Sequence, residues 1–204
     1  MEELNLFVRS IFIDNMIFAY FLGMCSVRAV SKNVKTALGL GVAVTFMLVV
    51  SLPINYLLNT YVLQPGALAW LGEEFADVDL SFLALIMFIA VIASMTQLVE
   101  MAVEKFSPSL YASLGIFLPL IAVNCAILGA SLFMQQKDFG SALTATVYGA
   151  GSGIGWLIAI VGIAAIREKL AYSNVPKPLR GIGITFILTG LMGIAFMSFL
   201  GIKL

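Results

Sequence analysis

Two cysteines, Cys25 and Cys125, are the residues of this chain best suited to redox or metal chemistry. Each stands in a long apolar stretch, where a lone cysteine usually acts as a small hydrophobic side chain. A thiolate is costly in such surroundings unless an ionic partner holds it. A shared metal centre and a disulfide between the two cysteines therefore both stay open. A [2Fe–2S] cluster takes four thiolates, so this chain would supply two and a second polypeptide the others.

Asn124 directly precedes Cys125. Its amide could donate hydrogen bonds towards a cluster sulfur and tune the reduction potential of the cluster. Equally, it could satisfy backbone groups that are freed at a break in a helix.

Two acidic residues in apolar segments are candidates for handling a cation. Glu100 lies one turn after Gln97 in the third apolar segment. A carboxylate within a membrane indicates a functional site by default, and hard cations prefer oxygen ligands. The alternative is that Glu100 and Glu104 cap the cytoplasmic end of the helix. Asp14 opens the first segment and could attract a cation from outside, although the simpler interpretation is an interfacial carboxylate in water.

The composition determines what kind of element carries these residues. Of 204 residues, 61% are hydrophobic and 11% charged, and the mean hydropathy is +1.07. Soluble domains are about half apolar and about a quarter charged. A soluble enzyme, a disordered protein and a nucleic-acid binder are thereby excluded, and the absence of histidine excludes His-based triads and His-ligated metals. The chain is an integral membrane protein.

Six segments are long and apolar enough to cross a bilayer, which takes about 20 residues. They are 5–27, 36–62, 80–102, 110–134, 141–166 and 180–201. The connections between them are too short to fold a nucleotide-binding domain, so a site for NADH must lie on another polypeptide. The glycine run from Gly149 to Gly155 lacks the G-x-G-x-x-G spacing, and we expect it to serve close helix packing.

Lysine and arginine in the connections predict the orientation of the chain. Eight of them fall on one side, namely Arg28, Lys32, Lys35, Lys105, Arg167, Lys169, Lys177 and Arg180. The other side has Arg9, Lys137 and Lys203 and an acidic connection at 63–79. We therefore predict that the first side is cytoplasmic and that both termini are periplasmic.

The fold class that follows is an all-α integral membrane protein of six transmembrane helices in two inverted three-helix repeats. The single membrane domain, 1–204, divides into one repeat at about 1–106 and another at about 107–204. Glycine patterns in spans 2 and 5 and one cysteine in span 1 and in span 4 support the duplication. A two-fold axis in the membrane plane brings the cysteines together only at mid-depth. We therefore expect broken helices in spans 1 and 4, each a half-helix that ends near its cysteine.

Several motifs resemble the E subunits of the sodium-translocating NADH:quinone oxidoreductases. They are Leu22-Gly23-Met24-Cys25-Ser26, Gln97-Leu98-Val99-Glu100-Met101, Gly115-Ile116-Phe117-Leu118-Pro119-Leu120, Asn124-Cys125-Ala126-Ile127-Leu128-Gly129 and Ile166-Arg167-Glu168-Lys169. The resemblance covers essentially the whole chain. The D subunits of the same complexes and the A and E subunits of the Rnf ferredoxin:NAD oxidoreductases are similar to a lesser degree.

The resemblance implies that Cys25 and Cys125 ligate a [2Fe–2S] cluster shared with a homologous, D-like subunit inside the bacterial inner membrane. Electrons cross the membrane through it towards ubiquinone while Na⁺ is exported. It also implies a six-subunit complex with A, B, C and F subunits, on which FMN, FAD and NADH bind. Rival expectations are an Rnf-type subunit, a small inverted-repeat secondary transporter and a purely structural subunit.

Overall fold

The computed structural model describes residues 2–31, 33–64, 81–106, 108, 111–112, 119–137 and 139–201. All regular structure in this part of the chain is helical. The α-helices are α1 (Glu2–Phe12), α2 (Met24–Val30), α3 (Val34–Leu58), α4 (Ala84–Phe106), α5 (Pro119–Ala122), α6 (Cys125–Lys137), α7 (Ala142–Leu170) and α8 (Ile182–Met197). A π-helical turn, Asn59–Leu63, extends α3, and short 3-10 turns occupy Ser81–Leu83, Lys177–Leu179 and Ser198–Gly201.

Four of these segments are long and apolar enough to cross a membrane. They are α3 with its π turn, α4, α5 together with α6, and α7, and each agrees in position with a predicted span. The helix α8 is apolar but has only 16 residues. The agreement of four helices with predicted spans confirms a multi-pass helical membrane protein. The full count of six spans and the inverted repeat stay predictions. The acidic residues of the 63–79 connection, Lys32 and Lys203 lie outside the described residues.

The first and fourth predicted spans are broken, as expected, but the cysteines do not lie where the half-helices end. Instead, Cys25 is the second residue of α2 and Cys125 is the first residue of α6. The expectation of half-helices ending near the cysteines was therefore wrong. The reason is local: Gly23 adopts a left-handed φ of 84° that starts a new helix, and the side chain of Asn124 accepts from the amide of Ala126, so that α6 begins at Cys125.

Asn15 stabilises the break that follows α1. Its side-chain oxygen accepts hydrogen bonds from the amides of Ile17 (3.0 Å) and Phe18 (3.3 Å). Its side-chain nitrogen donates to the carbonyl of Gly155 on α7 at 2.8 Å. Backbone groups freed inside a membrane need such partners, and the side chain supplies them while tying the break to α7.

The glycine run of α7 lets two helices approach it at once. A Cβ atom at Gly149 would lie 2.8 Å from the carbonyl oxygen of Leu48, on α3. One at Gly155 would lie 2.7 Å from the carbonyl oxygen of Ile11, on α1. The run therefore serves helix packing, as predicted, and α1 is packed along α7 rather than held apart from the other helices.

Within the described part of the chain, the helices α4 and α8 each keep one face free of contacts. Large exposed apolar side chains line them: Leu85, Ile86, Ile89, Leu98 and Met101 on α4, and Ile182, Phe186, Ile187, Leu191 and Ile194 on α8. Such faces suit a lipid or protein neighbour in a membrane.

Candidate functional site

The structure brings the two cysteine segments together. The backbone amide of Gly23, two residues before Cys25, donates a hydrogen bond to the sulfur of Cys125 at 2.9 Å. The two positions are 102 residues apart in sequence. Both cysteines are free thiols, so the alternative of a disulfide between them is not realised in the structure.

Each cysteine occupies the start of a helix. Unpaired amides at a helix N-terminus, together with the helix dipole, favour a negative group such as a thiolate. In α6 the side-chain oxygen of Asn124 accepts from the amide of Ala126 at 3.0 Å, which fixes the turn at which Cys125 begins the helix. Asn124 thus has the backbone-satisfying role that we considered for it.

Two buried N–H groups around the cysteines have no hydrogen-bond partner among the residues that the structure describes. They are the side-chain nitrogen of Asn124 and the indole nitrogen of Trp156. The indole lies against Gly23, since a Cβ atom built on Gly23 would collide with its nitrogen. A buried donor without an acceptor is costly. Sulfur atoms of a cluster accept hydrogen bonds, so thiolate ligands surrounded by spare donors fit an iron–sulfur centre.

Cys25 is exposed on the surface of the chain, whereas Cys125 is partly covered. An open cavity of about 640 Å³ adjoins Cys25 and is lined in part by Arg28 and Arg167. Arg167 donates to the hydroxyl of Ser31, which couples the end of α7 to the end of α2. The exposed thiol leaves room for a group that a second polypeptide completes.

Asp14 is held between two cations. Its carboxylate lies 2.8 Å from the side-chain nitrogen of Lys137 and 3.5 Å from that of Arg9. The hydroxyl of Tyr20 adds a longer contact at 3.4 Å. These partners neutralise the carboxylate, so Asp14 joins the break after α1 to the end of α6 in this conformation.

Glu100 lies near the end of α4 and is half-buried. Among the described residues it has no salt bridge and no side-chain hydrogen bond. The structure therefore links Asp14 to the helices around the cysteines but records no such link for Glu100. Its role in a cation pathway stays a prediction.

Sequence reasoning missed three participants. The sequence gives Gly23 no role of its own, although in the structure its amide donates to the sulfur of Cys125. Trp156 likewise has no role assigned from the sequence, and Lys137 enters only through the distribution of charge. A tryptophan in a glycine-rich apolar helix was the one available signal, because its N–H needs a partner when buried.

Four helices that are long and apolar enough to cross a membrane, together with two cysteine segments that meet, define a multi-pass helical membrane protein. The family described as Rnf-Nqr subunit, membrane protein, matches residues 3–203, and the chain belongs to this family.

Three curated relatives show how close the similarity is, and each is the E subunit of a Na(+)-translocating NADH-quinone reductase. The chain is 54% identical to that of Rhodopirellula baltica, covering 100% of this chain and 99% of that protein. It is 57% identical to that of Psychromonas ingrahamii, with 98% of both chains covered. With that of Maridesulfovibrio salexigens the identity is 56% over the full length of both.

Proposed function

We propose that this chain is the E subunit of a sodium-translocating NADH:quinone oxidoreductase. In this role Cys25 and Cys125 supply two ligands of a [2Fe–2S] cluster inside the membrane. The relatives named above carry that subunit name over the whole length of the chain. The observation that supports the ligand assignment most directly is the 2.9 Å hydrogen bond from the amide of Gly23 to the sulfur of Cys125.

The residues around the sulfurs fit ligands of a redox centre. The amide of Gly23 and the start of α6 stabilise a thiolate at Cys125, and the start of α2 does so at Cys25. The N–H groups of Asn124 and Trp156 are available to sulfur atoms. When bound, a [2Fe–2S] cluster accepts and releases single electrons. The helices cover Cys125 in part and leave Cys25 exposed beside the open cavity.

Two further ligands must come from another chain. Cys25 is exposed, and the cavity beside it is open to the surface. We propose that a homologous, D-like subunit of six spans covers this face and contributes two cysteines. The remaining A, B, C and F subunits bind NADH, FAD and FMN, because no connection in this chain is long enough to do so.

The membrane arrangement belongs to the same proposal. Six spans form two inverted repeats, about 1–106 and about 107–204, in the bacterial inner membrane, with both termini periplasmic. The cluster would then carry electrons across the membrane between carriers on its two faces while Na⁺ is exported.

The test is iron content and electron paramagnetic resonance of the purified complex with each cysteine replaced. Cys25→Ala and Cys125→Ala should each abolish one [2Fe–2S] signal and reduce NADH:quinone activity at least a hundredfold. Ser94→Ala is a suitable control because the Ser94 hydroxyl is exposed and bonded only to the carbonyl of Ala90.

Each rival function has its own outcome. A secondary transporter would be colourless and would tolerate both cysteine changes. A structural subunit would keep its quinone reductase activity in both variants. An Rnf-type subunit would co-purify with components that take electrons from ferredoxin in place of NADH.

A further inference from the structure

Two arginines share the open cavity beside Cys25. The cavity has a volume of about 640 Å³ and lies between α2, the end of α7 and the start of α8. Arg28 and Arg167 supply its charged side chains, and none of the described residues that line it is acidic. The rest of the wall is largely apolar and includes Ile182 and Phe186 of α8. Two positive charges therefore border the space next to an exposed thiol.

Cys25 and Arg28 lie on the same face of α2. Residues three apart in a helix are surface neighbours, with about 5–6 Å between their Cβ atoms. Both side chains are exposed, whereas the opposite face of this helix is buried and consists of Ser26, Val27 and Val30. A group bound to the sulfur of Cys25 therefore adjoins Arg28.

Arg167 reaches the same cavity from α7. One of its side-chain nitrogens donates to the hydroxyl of Ser31, which is buried. A guanidinium has five N–H donors, so this bond leaves others available to the cavity. Within the described part of the chain the salt bridges involve Asp14 and neither of these arginines. The charges of Arg28 and Arg167 are therefore not neutralised by a described carboxylate.

A [2Fe–2S] cluster with four thiolate ligands is an anion, and reduction adds one further negative charge. A cation nearby stabilises the more negative state and so raises the reduction potential. We infer that Arg28 and Arg167 are counter-ions of the proposed cluster, which raise its reduction potential without ligating it. The inference rests on the proposed function, because it assumes that Cys25 is a ligand of the cluster.

The size of the effect follows from the separation of the charges. At an effective dielectric of about 20, a unit charge about 10 Å from a redox centre changes its reduction equilibrium on the order of tenfold. The proposed partner subunit covers the cavity, and covered charges are screened little by salt. We therefore expect each arginine to contribute measurably in the assembled complex.

Redox titration of the purified complex, followed by electron paramagnetic resonance, tests the inference. Arg28→Gln and Arg167→Gln should each make reduction about tenfold less favourable, which is about 59 mV for one electron. Arg167→Lys keeps the positive charge and should stay within threefold of normal. Arg180→Gln is the matched control, because Arg180 lines a different cavity that does not include Cys25. It should also shift the equilibrium less than threefold.

Ser31→Ala separates the charge of Arg167 from its hydrogen bond. This change removes the acceptor and keeps the guanidinium, so the reduction potential should stay normal even where the thermal midpoint falls. A shift as large as that of Arg167→Gln would mean that the arginine acts through the packing of α2 on α7, and the inference would be overturned.

Reduction within twofold of normal in Arg28→Gln and Arg167→Gln also overturns the inference. That result is expected if an acidic group of the partner or of a lipid cancels both charges. Arg28 is exposed at the cavity, so Arg28→Gln decides the matter where Arg167→Gln does not assemble. A normal [2Fe–2S] signal with unshifted potentials leaves the proposed function standing, whereas absence of that signal from the unaltered complex refutes the proposed function instead.

Discussion

At the level of single residues, hydrogen bonds to the cysteine sulfurs would set how readily the proposed cluster accepts an electron. The indole N–H of Trp156 is buried without a partner beside Gly23, whose amide already binds the sulfur of Cys125. N–H groups directed at sulfur stabilise the more negative, reduced state and raise the reduction potential. Cys25 and Cys125 were recognisable from the sequence, but these donors were not, because helix breaks far apart in sequence bring them together.

Trp156→Phe should therefore lower the reduction potential of the centre. The variant keeps an aromatic ring in the packed interior and loses the N–H group. We expect normal iron content and a reduction equilibrium about tenfold less favourable, equivalent to about 59 mV for one electron. A redox titration followed by electron paramagnetic resonance measures this shift.

We expect Gly23→Ala to behave differently from Trp156→Phe. Its left-handed φ of 84° and the collision of a Cβ atom with Trp156 predict loss of assembly rather than a shifted potential. An unchanged potential in Trp156→Phe would show that the indole donates to no cluster sulfur.

The ion pair between Asp14 and Lys137 is the second residue-level feature that can be tested. Its 2.8 Å contact joins the break after α1 to the end of α6. Asp14→Asn and Lys137→Met should each lower the thermal midpoint of the complex, and the double variant should lose less than the sum. We expect a coupling energy of about 0.5–3 kcal/mol in a double-mutant cycle. Additive losses would mean that the pair contributes nothing.

At the level of helices, hydropathy predicted most positions well. The predicted spans 36–62 and 141–166 correspond to α3 and α7, because apolar length alone identifies a helix that can cross a membrane. Hydropathy carries no information on whether the backbone is continuous. The breaks at Asn15 and Asn124 depend on side-chain bonds to the backbone, and that of Asn15 reaches across to α7. The positions of these breaks relative to the cysteines were therefore predicted wrongly.

The glycine run of α7 leads to a prediction about helix packing. Gly155→Ala should destabilise the protein by about 1–3 kcal/mol, because the new Cβ atom would meet the backbone carbonyl of Ile11 at 2.7 Å. Gly190→Ala on α8 is the matched control, since no atom lies within 4 Å of its Cβ position. Thermal unfolding of the purified complex compares the two. Equal effects would contradict close packing at Gly155.

At the level of the whole molecule, the distribution of charge should fix which way the chain faces. The connection after α7 carries Lys177 and Arg180, with Lys169 in the last turn of α7, and positive residues near membrane helices stay in the cytoplasm. Ser173 is exposed within this connection, and Ser141 is exposed between α6 and α7. The two serines should therefore lie on opposite sides of the membrane.

Labelling of introduced cysteines tests this orientation in the assembled complex. A membrane-impermeant maleimide should label Ser141→Cys in intact spheroplasts and Ser173→Cys only in inverted vesicles. The same subunit in the unaltered complex is the control and should stay unlabelled from either side, because in the proposed assembly Cys25 and Cys125 are cluster ligands covered by the partner subunit. Labelling of both introduced cysteines from the same side would refute the topology. Labelling of the unaltered complex would count against the ligand assignment alone.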